Sequence, residues 1–314
     1  MTVQRYKLLT MLTCLGMFLV LLVGVLVTNT DSGRGCGTDW PLCNGKFVPA
    51  YTVESLVEYS HRAVSGIVGL LIGATFLVTL MWRPVRRKEP VWYASAGLFF
   101  TFLQAALGAM AVVWPTSSAV LALHFGISLF AFTSTWLLYS YAKRLAATGD
   151  ASESVTDTAS GSLGRIPRSV FQLTAVILVY CYGVVYLGAY IRHTHSGGGC
   201  IGWPLCNGDV VPELAGATGI AFAHRIAAFV MLLLVVALVF FVRSRTGAAS
   251  ETTRLANISL WLVVLQVLSG GLLSYTLDNP DVYVFTSLLH TIIISALFSM
   301  LCLLALRARH LSRD

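Results

Sequence analysis

Charge is scarce in this sequence. Asp, Glu, Lys and Arg make up 11% of its 314 residues, where a soluble domain carries roughly a quarter. That scarcity excludes an ordinary soluble globule. Acidic residues are rarer still than basic ones, which leaves a net charge of +7. No soluble basic domain gathers the surplus onto one face, so nucleic-acid binding is excluded as well. A small-x-small cleavage site is missing after the first apolar block, so the basic start at Arg5 and Lys7 reads as leading into a retained helix and not a removed secretory signal. Apart from histidines, the apolar blocks are almost free of charged residues, which argues against a repeat-built transporter.

What is present is hydrocarbon: 56% of residues are hydrophobic and mean hydropathy is +0.77. The apolar residues gather into eight blocks, at 8–27, 63–82, 91–113, 118–141, 170–191, 219–242, 255–277 and 282–306. Blocks of about 20 residues suit a helix crossing roughly 30 Å of bilayer. The fold class expected is an all-α integral membrane protein with eight spans. An even number of spans puts both termini on one side. Only Arg34, Lys46, Arg62, Arg192 and Arg225, of 21 Lys and Arg, fall on the other side. The positive-inside rule then predicts a cell-membrane protein with cytoplasmic termini and extracellular loops at 28–60 and 192–217.

The sequence repeats itself. Gly35-Cys36-Gly37-Thr38-Asp39-Trp40-Pro41-Leu42-Cys43-Asn44-Gly45 returns, one residue shorter, as Gly199-Cys200-Ile201-Gly202-Trp203-Pro204-Leu205-Cys206-Asn207-Gly208. Near the same offset His61-Arg62 returns as His224-Arg225, Leu103-Gln104 as Leu265-Gln266, Gly108 as Gly270 and His124 as His290, and Gly24 to Gly33 aligns with Gly188 to Gly197. A period this long predicts two tandem, pseudo-symmetric four-helix bundles: an N-terminal half at 1–145, a flexible cytoplasmic linker at 146–168 and a C-terminal half at 169–314. Both halves start and end inside, so they are expected to be parallel repeats about an axis along the membrane normal.

Ionisable rings in a membrane bundle point to function by default. His61 is expected to open the second span from the outer side, with His124 about six residues into the fourth, roughly 9 Å down. His224 and His290 repeat the arrangement. Two histidines on facing helices suit the two axial positions of a haem iron; zinc or copper competes, but each pair lacks a third close ligand in sequence. Gly66, Gly69, Gly73, Gly108, Gly126, Gly270 and Gly271 would leave room for a flat macrocycle, and equally serve close helix packing. His193 and His195 match Asn29 and Asp31 and read as outer loop residues. The symmetry breaks before His61: Glu58 has Ala221 as its counterpart. Spacing of three residues puts Glu58 on the face of His61, where a carboxylate could transfer protons. Arg62 and Arg225 are candidate partners of haem propionates, or interfacial snorkelling residues.

Cysteines at 36 and 43 and at 200 and 206 lie in polar loops, whereas Cys14, Cys181 and Cys302 sit in apolar blocks. Zinc would need two further ligands and no Cys-x-x-Cys-His run marks covalent haem attachment. An outward location favours a disulfide in each loop, worth about 2 to 3 kcal/mol; a redox role for the pairs stays open.

Taken together, the motif Gly-Cys-Gly-x-x-Trp-Pro-Leu-Cys at 35–43, Glu-Tyr-Ser-His-Arg at 58–62, Leu-His-Phe-Gly at 123–126, Trp-Pro-Leu-Cys at 203–206, Ala-His-Arg at 223–225 and Leu-His at 289–290 resemble the heme A synthases of the bacterial kind with a cysteine pair in each half. The resemblance covers nearly the whole chain. It implies an oxidoreductase that converts the C8 methyl of heme O to the formyl group of heme A for terminal oxidases. It also implies haem b held by His224 and His290, substrate heme O held by His61 and His124, Glu58 required for chemistry, and heme O synthase and an electron donor as partners. The competing class is a bis-histidine di-haem cytochrome taking electrons from quinol; it explains four histidines but not Glu58 in one half alone.

Overall fold

The computed structural model describes residues 1–148 and 166–312. Among them are eight long helices and no strand: α1 (Val3–Asn29), α2 (Val53–Met81), α3 (Lys88–Val113), α4 (Ser118–Thr148), α5 (Arg168–His193), α6 (Gly216–Thr246), α7 (Glu251–Tyr275) and α8 (Pro280–Leu311). Each is long and apolar enough to cross a membrane. An all-helical chain is what hydrocarbon dictates, because a helix satisfies its own backbone hydrogen bonds where no water can.

The chain divides into two compact units, Met1–Val155 and Thr156–Asp314. Most of the linker expected at 146–168 falls at 149–165, outside the described residues. In the first unit α1 packs on α2 and α4, and α3 packs on the same two, so α2 and α4 stand diagonally across a closed four-helix ring. The second unit repeats the ring with α6 and α8 on its diagonal.

Small and hydroxyl side chains draw the helices together, as they do in lipid. Tyr6 and Thr79 hydroxyls meet at 2.9 Å and those of Thr13 and Thr75 at 2.7 Å, joining α1 to α2. Beside them Met17, Val68, Ile72 and Ala131 form an apolar core. In the second unit Val235, Leu238, Leu297, Phe298 and Leu301 are buried.

Several helices outrun their apolar blocks. The largest difference is α2, which begins at Val53 and not at 63. Hydropathy cannot see this start, because it rests on capping: the Thr52 hydroxyl accepts from the Ser55 amide at 3.3 Å, and Glu54 favours the positive end of the helix. His61 therefore does not open the helix; it lies more than two turns inside it, with Glu58 one turn nearer the outer end. His193, likewise, is the last residue of α5 and not a loop residue, while His195 lies exposed in the turn that follows.

The repeat extends to backbone detail. Asp31 and His195 both take a left-handed conformation (φ 52°), as do Asn44 and Asn207 (φ 51° and 57°), and both Trp-Pro bonds, 40–41 and 203–204, are cis. Thr30 and Ser32 hydroxyls meet at 2.6 Å after α1, and Thr194 and Ser196 at 2.8 Å after α5.

Candidate functional site

Each of the four repeated histidines lies against a glycine of the preceding helix. A methyl group at Gly24 of α1 would stand 3.3 Å from His61 Cε1, and one at Gly108 of α3 would stand 3.4 Å from His124 Cε1. In the second unit the distances are 2.9 Å from Gly188 to His224 and 3.3 Å from Gly270 to His290. At Gly188 a methyl group would collide with the ring, at Gly24 and Gly270 it would crowd it, and at Gly108 it would just touch it. The Nδ1 atoms of His61, His124 and His224 are buried, yet all four residues keep some accessible surface. His224 and His290 stand on the diagonal pair α6 and α8.

The glycines divide differently from the macrocycle reading. Gly108 and Gly270 make room for imidazoles, and Gly271 makes room for the Trp203 indole, whose Cδ2 would be 2.9 Å from an added methyl group. Gly66, Gly69 and Gly73 face open space.

His290 has side-chain partners at both nitrogens: Ser269 Oγ lies 2.8 Å from Nδ1 and Gln266 Nε2 lies 2.8 Å from Nε2. The counterpart of Gln266 behaves differently, since Gln104 donates to the backbone carbonyl of His124. Sequence reading paired the two glutamines but missed Ser269, whose partner stands 21 residues away on another helix.

Above the histidines sit the cysteine loops, each closed by a disulfide, Cys36–Cys43 and Cys200–Cys206. Their first residues press onto the helix starts. A methyl at Gly35 would stand 2.3 Å from the Glu54 carbonyl carbon, and one at Gly199 would stand 2.5 Å from that of Ala217.

The arginines beside the histidines clamp these loops. Arg62 Nη1 donates to Leu42 O at 2.5 Å and to Asp39 O at 3.3 Å. Arg225 Nη1 donates to the matching Leu205 O at 2.8 Å, and its Nη2 donates to Cys200 O at 2.7 Å. Loop carbonyls therefore occupy much of the donor fork that sequence reading offered to propionates. Glu58 is 3% exposed and enters the same network. Its Oε1 accepts from Arg62 Nη2 at 2.5 Å and Nε at 3.1 Å, and its Oε2 accepts from the Cys36 amide at 2.8 Å. In the second unit Ala221 stands in this place and Arg225 holds Cys200 by its carbonyl instead.

Among the described residues no three His, Cys, Asp or Glu side chains converge as a metal-ion site would need. Paired, ring-anchored histidines on diagonal helices fit a haem, whose macrocycle brings the other iron ligands itself. Fold and site define a multi-pass membrane protein of two duplicated four-helix bundles, each with a histidine on both helices of its diagonal and a disulfide-closed loop. The profile of the cytochrome oxidase assembly protein family (COX15-CtaA) matches residues 7–56, 50–166 and 171–218. The chain is 36% identical over 300 residues to the heme A synthase of Alkalihalophilus pseudofirmus, covering 95% of each chain. It is 38% identical over 295 residues to that of Symbiobacterium thermophilum, covering 92% of each. With the Bacillus licheniformis heme A synthase it shares 37% over 303 residues, covering 95% of this chain and 94% of the relative. The chain belongs to the heme A synthase family.

Proposed function

We propose that the chain oxidises the C8 methyl of heme O to the formyl group of heme A, for use by terminal oxidases. In this reading the first unit holds the substrate heme O through His61 and His124. The second unit holds haem b through His224 and His290. When bound, haem b supplies one-electron transfer. Each glycine contact sets a histidine ring against its neighbour helix, so the ligand direction is pre-organised. Arg62 and Arg225 keep the loops seated over the histidines, with any donor left over facing a propionate.

The observation that carries the division of labour is Glu58. It is a buried carboxylate one turn before a candidate ligand, present in one unit and replaced by Ala221 in the other. Its oxygens are held by Arg62 and the Cys36 amide, so a proton taken up or released there is coupled to the seating of the first loop. The distribution of Lys and Arg supports cytoplasmic termini and extracellular cysteine loops in the cell membrane. Heme O synthase as the source of substrate, and a separate electron donor, complete the reading.

Expression in a host that makes heme O but no heme A tests the reaction. Mass analysis of extracted haems should show heme A appearing with the chain and not without it. Unconverted heme O would leave the di-haem cytochrome reading in place.

A further inference from the structure

Among the positions where the two units differ, one lies inside the helix that faces the fourth histidine. Ser269 is 5% exposed on α7, one turn after Gln266. Its hydroxyl donates to the Gln266 backbone carbonyl at 3.0 Å. With its hydrogen on that carbonyl, the same oxygen is placed to accept from His290 Nδ1, 2.8 Å away, in the tautomer that carries the ring proton on Nδ1. That tautomer leaves the lone pair on Nε2. In the same tautomer the Gln266 amide nitrogen, 2.8 Å from Nε2, is placed to donate to that lone pair. Applying the repeat register, in which Gln104 matches Gln266 and Gly108 matches Gly270, the counterpart of Ser269 is Leu107, which brings no hydroxyl.

We infer that Ser269 is a positioning residue that makes His290 a permanent axial ligand, and that the change from Leu107 to Ser269 is part of what separates a haem that stays from a haem that must leave. The inference rests on the assignment of haem b to His224 and His290. A ring nitrogen that donates to an acceptor fixes the tautomer and makes the opposite nitrogen a stronger base, which tightens metal binding. The Gln266 amide holds the ligating nitrogen in place until iron takes its lone pair. A substrate site has the opposite requirement, because its product must be released, and hydrocarbon at the matching position suits it.

The test uses the full-length chain in detergent, depleted of haem and titrated with haem b, with the reduction midpoint potential and the low-spin spectrum recorded for each variant. Ser269→Ala should bind haem b at least ~10-fold more weakly, and its potential should rise, because a less basic ligand stabilises ferric iron less. Ser269→Thr keeps the hydroxyl and should restore both towards wild type. If Ser269→Ala does not accumulate, Ser269→Cys, a poor acceptor of similar size, carries the same expectation. Wild-type affinity and potential in the hydroxyl-free variant would overturn the inference. So would a Thr variant as impaired as the Ala variant, since the defect would then be packing. His290→Ala run alongside keeps the two claims apart: if it retains a wild-type low-spin spectrum, the ligand assignment itself has failed, whatever Ser269→Ala shows.

Discussion

Replacing His224 or His290 with Ala should abolish stable haem b binding, and the reduced low-spin haem b spectrum of the purified chain should disappear with it. Losing one axial ligand leaves iron five-coordinate in a bundle shaped for two. The structure adds a second cost at His290. In the haem-free chain the Gln266 amide nitrogen would lose its partner, and a stranded buried polar group costs about 1 to 3 kcal/mol. His290→Ala should therefore be the less stable of the two variants. An unchanged low-spin spectrum in both would contradict the assignment.

Glu58→Ala should reduce conversion of heme O to heme A by about 100-fold or more, the range expected when a positioned acid or base is lost, while leaving the haem b of the second unit intact. The contacts of Glu58 raise an alternative that substitution by Ala alone would not separate. Removing the carboxylate also strips Arg62 of its ion pair and the Cys36 amide of its acceptor. Glu58→Gln separates the two roles. The amide keeps one acceptor oxygen, for either the Cys36 amide or Arg62 but not for both, so the loop keeps one of its two Glu58 anchors while the exchangeable carboxyl proton is removed. Loss of conversion in Glu58→Gln, with the Cys36–Cys43 disulfide still formed, is the expected result. Normal conversion in that variant would make Glu58 a loop anchor. The second unit shows that a loop can be anchored without a carboxylate, since Arg225 bonds the Cys200 and Leu205 carbonyls directly.

Much of this architecture was legible in the residues because lipid imposes simple demands. Eight apolar blocks became eight helices, and the repeat around Trp40-Pro41-Leu42-Cys43 and Trp203-Pro204-Leu205-Cys206 announced two alike bundles. The start of α2 was not legible. Its first ten residues are amphipathic and carry Glu54, Glu58 and Arg62, so a search for apolar runs places the helix start too late. The partners of Arg62 and Arg225 were hidden for another reason. Loop carbonyls carry no sequence label, and a guanidinium beside a candidate haem site invites a carboxylate reading. Contacts between helices were equally invisible: nothing in local spacing tells that Gly24 lies under His61 or Gly188 under His224. A signal was present in the offset, since these glycines recur at the same period as the histidines they face.

Each unit is expected to hold its own haem, haem b in the second and heme O or its product in the first. The measurement is a haem inventory by extraction and mass analysis of the chain, purified from a host that makes heme O, for the wild type and for a His61→Ala, His124→Ala double variant. The wild type should carry haem b together with heme O or heme A, and the double variant should keep haem b and lose the other two. A double variant that still carried heme O or heme A, or that lost haem b instead, would contradict the account.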